Sequence, residues 1–272
     1  MGNSEDFGTE SIDTSALPIE YPPSKALSAK RKYGQNLSFW INAPIRVDLF
    51  LEAELLALAF ATGIEDAITF PDFFCYSSNQ TGNTISLAIG LAGLRPPNFY
   101  LSNVTFSLTL WIIGCWAMGQ TGCYIGPTRR LWVLSSSLIQ TAMVFAAAAM
   151  LESLPTEETG KITWSVLALM AFSGGGQVAM ARGLRVPEIS TAMASSAFVD
   201  LLVDPNLYAK HNRSRNRRVG FLFMLFAGCF AGAYARSSPI LQSPGALMIS
   251  GIIKLAVTVG FVFNKSEDGS QE

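Results

Sequence analysis

From Pro96 to Thr128 the chain reads PPNFYLSNVTFSLTLWIIGCWAMGQTGCYIGPT, 33 residues without an Asp, Glu, Lys or Arg. A helix of roughly 20 apolar residues crosses the hydrocarbon core of a bilayer, which is about 30 Å thick. Working outward from this run, apolar segments cover 47–70, 76–94, 99–125, 131–151, 162–181, 188–203, 218–235 and 243–263. Two are weak. The segment 76–94 opens on polar residues through Asn83, and 188–203 holds only 11 uncharged residues in a row, Ile189 to Val199. At 1.5 Å per residue that is about half a bilayer. The expectation is an all-α integral membrane protein with six full spans and two short or broken segments.

Composition agrees. Half of the 272 residues are hydrophobic and 14% are charged. The net charge of -1 leaves no basic surplus for nucleic acid. Cys75, Cys115, Cys123 and Cys229 lack metal-ligand spacing and read as small packing residues. The single histidine, His211, lies in a basic loop with no nucleophile or metal partner in view. Neither an enzyme nor a cofactor is expected.

Residues 1–44 are polar and proline-containing, and read as a disordered tail before a membrane domain over 45–264, with a polar end at 265–272. Within that domain Gly114-Cys-Trp-Ala117 returns as Gly228-Cys-Phe-Ala231, 114 residues later. The two weak segments share the offset, so the domain divides into related halves, about 47–151 and 162–263. Lys and Arg favour cytoplasmic loops. With six spans, 15 of them fall on the side of the termini and three, Arg95, Lys161 and Arg236, on the other. Both termini are then cytoplasmic, in a plasma membrane or an endomembrane, and the halves are inverted relative to each other.

The first segment carries Asp48, Glu52, Glu54, Glu65 and Asp66 within an arc of roughly 160° on a helical wheel. Glu54 and Glu65 are about 16 Å apart along the axis, so both cannot leave the hydrocarbon unless the helix breaks, most cheaply at Gly63. Glu65 and Asp66 therefore suggest an intramembrane cation or proton site, or else the far end of a short, tilted helix. Lys254 lies alone near the middle of the last span. It needs either a carboxylate (Glu65, Asp66 or Asp200) or a snorkelling path. Thr81-Gly82-Asn83 can expose backbone and amide groups at the start of a half-helix, or simply cap it. Gln177, after the glycines at 174–176, needs a partner inside the bundle, and the glycines can form a hinge.

Ala61-Thr-Gly63-Ile-Glu-Asp66-Ala67, Asn79-Gln-Thr81-Gly82-Asn83 and the glycine-rich third segment resemble the YoaK-like family, which carries a domain of unknown function, number 1275. The resemblance spans roughly 48–263. The second half echoes it in Gly175-Gly-Gln177-Val-Ala179 and in Ser190-Thr191 leading to Ser195-Ser196-Ala197. Here Val178 stands where the family is usually polar, and Thr-Gly has become Ser195-Ser196. The resemblance implies a fold and a repeat and brings no activity; the long polar tail points to a fungal member. The functional expectation is a transporter of an unidentified small solute or ion, with Glu65, Asp66, Thr81, Asn83, Gln177 and Lys254 as candidate site residues. Its competitor is a membrane scaffold or lipid-interacting protein whose polar groups serve helix packing. Membrane lipids are partners in both.

Overall fold

A computed structural model of the protein describes residues 38–94, 99–155 and 157–267. Most of the expected tail, the Arg95 loop and the last five residues lie outside them. The chain divides after Phe39, and the unit from Trp40 onward holds the eight helices below. A helical turn over 38–42 precedes eight helices. These are α1 (Leu49–Phe73), α2 (Gln80–Leu91), α3 (Leu101–Ile125), α4 (Arg130–Ser153), α5 (Lys161–Gly183), α6 (Ala194–Leu202), α7 (Arg213–Ser237) and α8 (Gln242–Phe263).

Five of them, α3, α4, α5, α7 and α8, are long and apolar enough to cross a membrane. The expected six full spans plus two short segments are corrected accordingly. The difference lies in α1, which has 25 residues but carries Glu52, Glu54, Glu65, Asp66 and Asp72. Its length suits a bilayer and its composition does not. No break occurs at Gly63 either: α1 is continuous, and α5 likewise runs unhinged through Gly174–Gly176. The weak segments shorten to 12 residues in α2 and 9 in α6.

The approach to α1, the α3–α4 turn and the end of α8 meet at one end of the bundle. Ile45 N donates to the Thr128 carbonyl and Arg46 N to that of Lys265, each at 2.9 Å. Arg130, 1% exposed, clamps the same end by donating to the Trp40 and Asn264 carbonyls while its guanidinium lies 4.3 Å from the Trp40 ring centre. At the opposite end Asn103 of α3 donates to the carbonyls of Phe73 and Glu158, which flank the end of α1 and the start of α5. So α1 and α5 run in opposite directions, and the repeat is inverted.

The helix contacts respect the repeat. α1 packs on α7 as α5 packs on α3, and α1 on α8 as α5 on α4. Both major crossings use the same device. A Cβ on Gly63 would stand 2.7 Å from the Cys229 nitrogen, and one on Gly175 would stand 2.9 Å from that of Cys115. Across the same contacts, a Cβ on Gly228 would stand 3.0 Å from Phe60 Cα and one on Gly114 would stand 2.9 Å from Phe172 Cα. Backbone meets backbone, which only small residues permit. The peripheral α3 and α7 turn Trp116, Phe223 and Phe230 outward, as helices facing lipid do.

Two apolar cores lie inside. One gathers Leu51, Leu55, Trp132, Met180, Phe221 and Phe261 near the clamped end, and the other Ile68, Val104, Val144, Leu167, Met170 and Leu247 near the opposite end. Between them α1, α4, α5 and α8 each contribute buried polar residues, among them Thr62, Gln140, Gln177 and Lys254.

If the glycine crossings hold the repeat together, Gly228→Ala and Gly114→Ala should each cost about 1–3 kcal/mol by overpacking. Gly119→Ala, whose Cβ would meet only Ala179 Cβ at an ordinary 3.7 Å, should be near neutral. Thermal unfolding in detergent checks this, and equal effects at all three sites would refute the tight crossings.

Candidate functional site

The acids of α1 meet different fates. Asp48 caps the helix, accepting from Phe50 N and Leu51 N at 3.0 and 3.1 Å. Glu52 is gripped by Arg213 and Arg217, and Arg217 also reaches Glu188 at 3.2 Å. Arg218 pairs with Asp204, so the basic run at 213–218 is a set of inter-element ion pairs as well as a charge excess. Glu54 accepts from Asn264 Nδ2 at 2.6 Å, and its other oxygen is buried without a partner. Asp72 binds Arg236 at the far end.

Glu65 and Lys254 are the costly pair. Both side chains are 1% exposed, with Nζ 2.8 Å from Oε1, and Ser250 Oγ donates to the same oxygen at 2.7 Å. The ammonium is in ion contact but finds no acceptor in good hydrogen-bond geometry. Lys254 therefore pairs with Glu65 and does not snorkel. Its surroundings continue the polar layer, with Thr258 donating to the Lys254 carbonyl and lying 2.7 Å from Ser137 Oγ. Gln177 Nε2 donates to Thr62 at 2.8 Å, while its carbonyl oxygen is buried and unpartnered.

The repeat gives each of these a counterpart. Gln177 follows Glu65 by the same 112 residues that separate Gly175 from Gly63, and Lys254 and Ser250 follow Gln140 and Ser136 by 114. Where one contact between the halves holds Glu, Lys and Ser, its repeat counterpart holds Gln, Gln and Ser. Gln140 bonds Ser136 at 2.8 Å in place of an ion pair.

Asp66 lies one residue beyond Glu65, about 10 Å along the axis from the end of α1. Its Oδ1 accepts from Ser77 Oγ at 2.9 Å and Ser78 N at 2.8 Å, and its Oδ2 from Ser78 Oγ at 2.5 Å. These bonds hold the 74–79 turn that leads into α2. Asn83 secures the turn from the other side. Its amide nitrogen donates to Tyr76 O and Gln80 Oε1, and its oxygen accepts from Tyr76 N. Asn83 is 0% exposed and so belongs to the turn's scaffold. Asn79 caps α2 by accepting from Gly82 N.

The first turn of α2 faces the first turn of α6 across a cavity of about 550 Å³. Asp66, Thr81, Trp111, Ser195, Leu225 and Cys229 are among its walls. Thr81 with Ser195, and Trp111 with Leu225, are repeat counterparts 114 residues apart, so the cavity lies between the halves. Of the candidate residues, the fold brings Asp66 and Thr81 into this cavity, joins Glu65 to Lys254 beside the polar layer, and leaves Asn83 and Gln177 bonded elsewhere. Sequence reasoning missed Ser77, Ser78 and Trp111. The serines stand 11 and 12 residues from Asp66 in a short loop, a return distance that periodicity does not signal.

The family model described as "Protein of unknown function (DUF1275)" matches residues 55–260. The chain belongs to that family, a class of multi-spanning membrane proteins in which the YoaK-like resemblance also falls. No curated protein and no solved structure matches it.

Two predictions follow from the ion pairs. Lys254→Met leaves Glu65 charged and buried and should cost about 3–5 kcal/mol. Glu65→Gln with Lys254→Gln together copies the neutral counterpart contact and should recover most of that, as read by detergent melting; equal, additive losses would refute a coupled pair. The second concerns acid. Burial pushes the Glu188 carboxyl up, but donation from Ser214 and the charge of Arg217 outweigh it and hold the group below its ordinary 4.5. A depressed acid stabilises the fold above its unfolded pKa and loses that contribution as pH falls through the folded one. Melting temperature should therefore drop as pH falls below about 4.5, and the slope should flatten in Glu188→Gln. An unchanged slope would remove Glu188 from the account.

Proposed function

We propose that this protein transports a small solute or ion through a site at the cavity between α2 and α6, with Asp66 and Thr81 as its principal polar walls. The observation that carries the reading is the arrangement at that cavity. In each half a short helix begins at the same place, and a carboxylate stands at the cavity between them. Ionisable groups at depth in a membrane are costly and mark solute or ion pathways, and interrupted segments in inverted repeats are where transporters bind. The end bearing Arg46, Arg129, Arg130, Arg182 and the 213–218 run is taken as cytoplasmic under the positive-inside rule, which puts both termini there.

A second reading also has an observation behind it. All three hydrogen bonds to Asp66 come from Ser77 and Ser78, which is what a residue kept only to pin a turn would show. The protein would then be a membrane scaffold.

Asp66→Asn separates the two. The amide oxygen keeps the Ser77 and Ser78 N bonds, and its nitrogen can donate to Ser78 Oγ, so volume and bonding persist while the charge goes. For a transporter, proton- or cation-coupled uptake into proteoliposomes, screened across a solute panel, should fall about tenfold or more. Melting should shift by no more than the ~1 kcal/mol of one hydrogen bond. A large melting shift with no uptake by the wild type would favour the scaffold.

A further inference from the structure

A second cavity, about 430 Å³, adjoins the first and is walled by Phe70 and Tyr76 on one side and by Phe226, Phe230 and Ala233 of α7 on the other. The two share Asp66, Tyr76 and Cys229. Phe70 stacks on Tyr76 with ring centres 4.6 Å apart, which makes one wall a continuous aromatic face. Phe226 and Phe230 are 50% and 63% exposed on the outward side of α7, so this annex opens sideways and not toward either end of the bundle.

Asp66 therefore stands at a boundary. Toward α2 and α6 it faces Ser78, Thr81 and Ser195; toward α7 it faces rings. Among the residues lining either cavity it is the only Asp, Glu, Lys or Arg. Its Oδ2 accepts a single hydrogen bond, from Ser78 Oγ, and keeps capacity for another donor.

Resting on the transporter reading, we infer that the site takes an amphipathic amine, its ammonium head on Asp66 and its apolar body in the annex between α1 and α7. Charge complementarity selects the head. A carboxylate-headed amphipath would bring like charges together, and an acyl chain alone would leave the remaining acceptor capacity of Asp66 Oδ2 against hydrocarbon. The annex selects the body. A bare inorganic cation has no use for an apolar chamber, whereas an ammonium beside aromatic faces gains attraction from them, and its chain gains by leaving water.

The experiment is calorimetric titration of the full-length protein in lipid nanodiscs, against empty nanodiscs, with octylammonium, methylammonium, octanol and octanoate. Octylammonium should bind saturably and about tenfold or more tighter than methylammonium, with no saturable binding of octanol or octanoate. Asp66→Asn should weaken octylammonium about tenfold. Ala233→Phe, which fills the annex, should reduce octylammonium to the methylammonium level and leave methylammonium unchanged. Phe230→Ala, which only removes an outward wall, should weaken octylammonium by a smaller factor and guards against misfolding of the bulkier variant. Octanol binding as tightly as octylammonium would mean the annex holds only acyl chains; equal binding of the two ammonium probes would mean a plain cation site; saturable octanoate binding would reverse the charge. Each of these overturns the inference. Uptake that is lost in Asp66→Asn but untouched by Ala233→Phe overturns it too while leaving transport standing. Octylammonium binding without uptake of any solute sustains the binding site while transport falls.

Discussion

An ammonium and a carboxylate closed off between two apolar cores set the terms for the rest of this fold. Neither Glu65 nor Lys254 reaches water, so each must find the other, and α1 and α8 must lie side by side at one fixed register. Such a pair adds little net stability, because desolvation consumes most of the Coulombic gain. What it supplies is specificity: a one-residue slip of α8 against α1 would leave two unpaired ions inside the bundle. Hydroxyls extend the constraint sideways, since Thr258 bonds the Lys254 carbonyl and meets Ser137 of α4. The central helices are thereby registered through a polar layer, and the apolar cores above and below fill the remaining space.

The glycine crossings solve a separate problem. α1 and α5 are the most enclosed helices, and each is covered by a helix that presents aromatic side chains outward. Close covering needs backbone contact, which Gly63 with Gly228 and Gly175 with Gly114 allow. The two halves keep this device almost unchanged while their chemistry diverges. Glu65 becomes Gln177, Asp66 becomes Val178, Lys254 answers Gln140 and Asn83 answers Ala197. Packing is shared by both crossings because both must bury the same surface; the ion pair is confined to one of the two symmetric contacts between the halves, because a second buried pair would add cost and no further register.

Much of this was legible in the chain. Five of the six expected spans stand, the glycine motif marks the repeat, and the uncharged surroundings of Lys254 narrow it to a carboxylate partner or a snorkelling path. The misjudged element is α1, counted as a span because its apolar residues alternate with acids at helical spacing. Periodicity reports a helix and does not report what the acids meet. Those partners are far away in sequence: Glu52 bonds residues 161 and 165 positions on, Glu65 one 185 on and Glu54 one 210 on. Gly63 and Gly174–Gly176 misled in the same way. A glycine inside a helix permits a break and also permits contact, and only the neighbouring helix decides which.

The same distances separate Asp66 from the other acids of α1. Glu52, Glu54 and Glu65 take their partners from the last third of the chain, so disturbing any of them disturbs the contact of α1 with α7 or with α8 and its C-terminal end. Asp66 is satisfied by Ser77 and Ser78, in the turn that closes α1 and opens α2. That turn borders the cavity, and α2 is a short helix whose main neighbour is α3. Its bonds to Asp66 involve neither the Glu65–Lys254 register nor the glycine crossings. Among Glu52, Glu54, Glu65 and Asp66, Asp66 alone is bonded within its own turn, so the ligand exchange that the proposed site requires would leave the contacts of α1 with α7 and α8 in place.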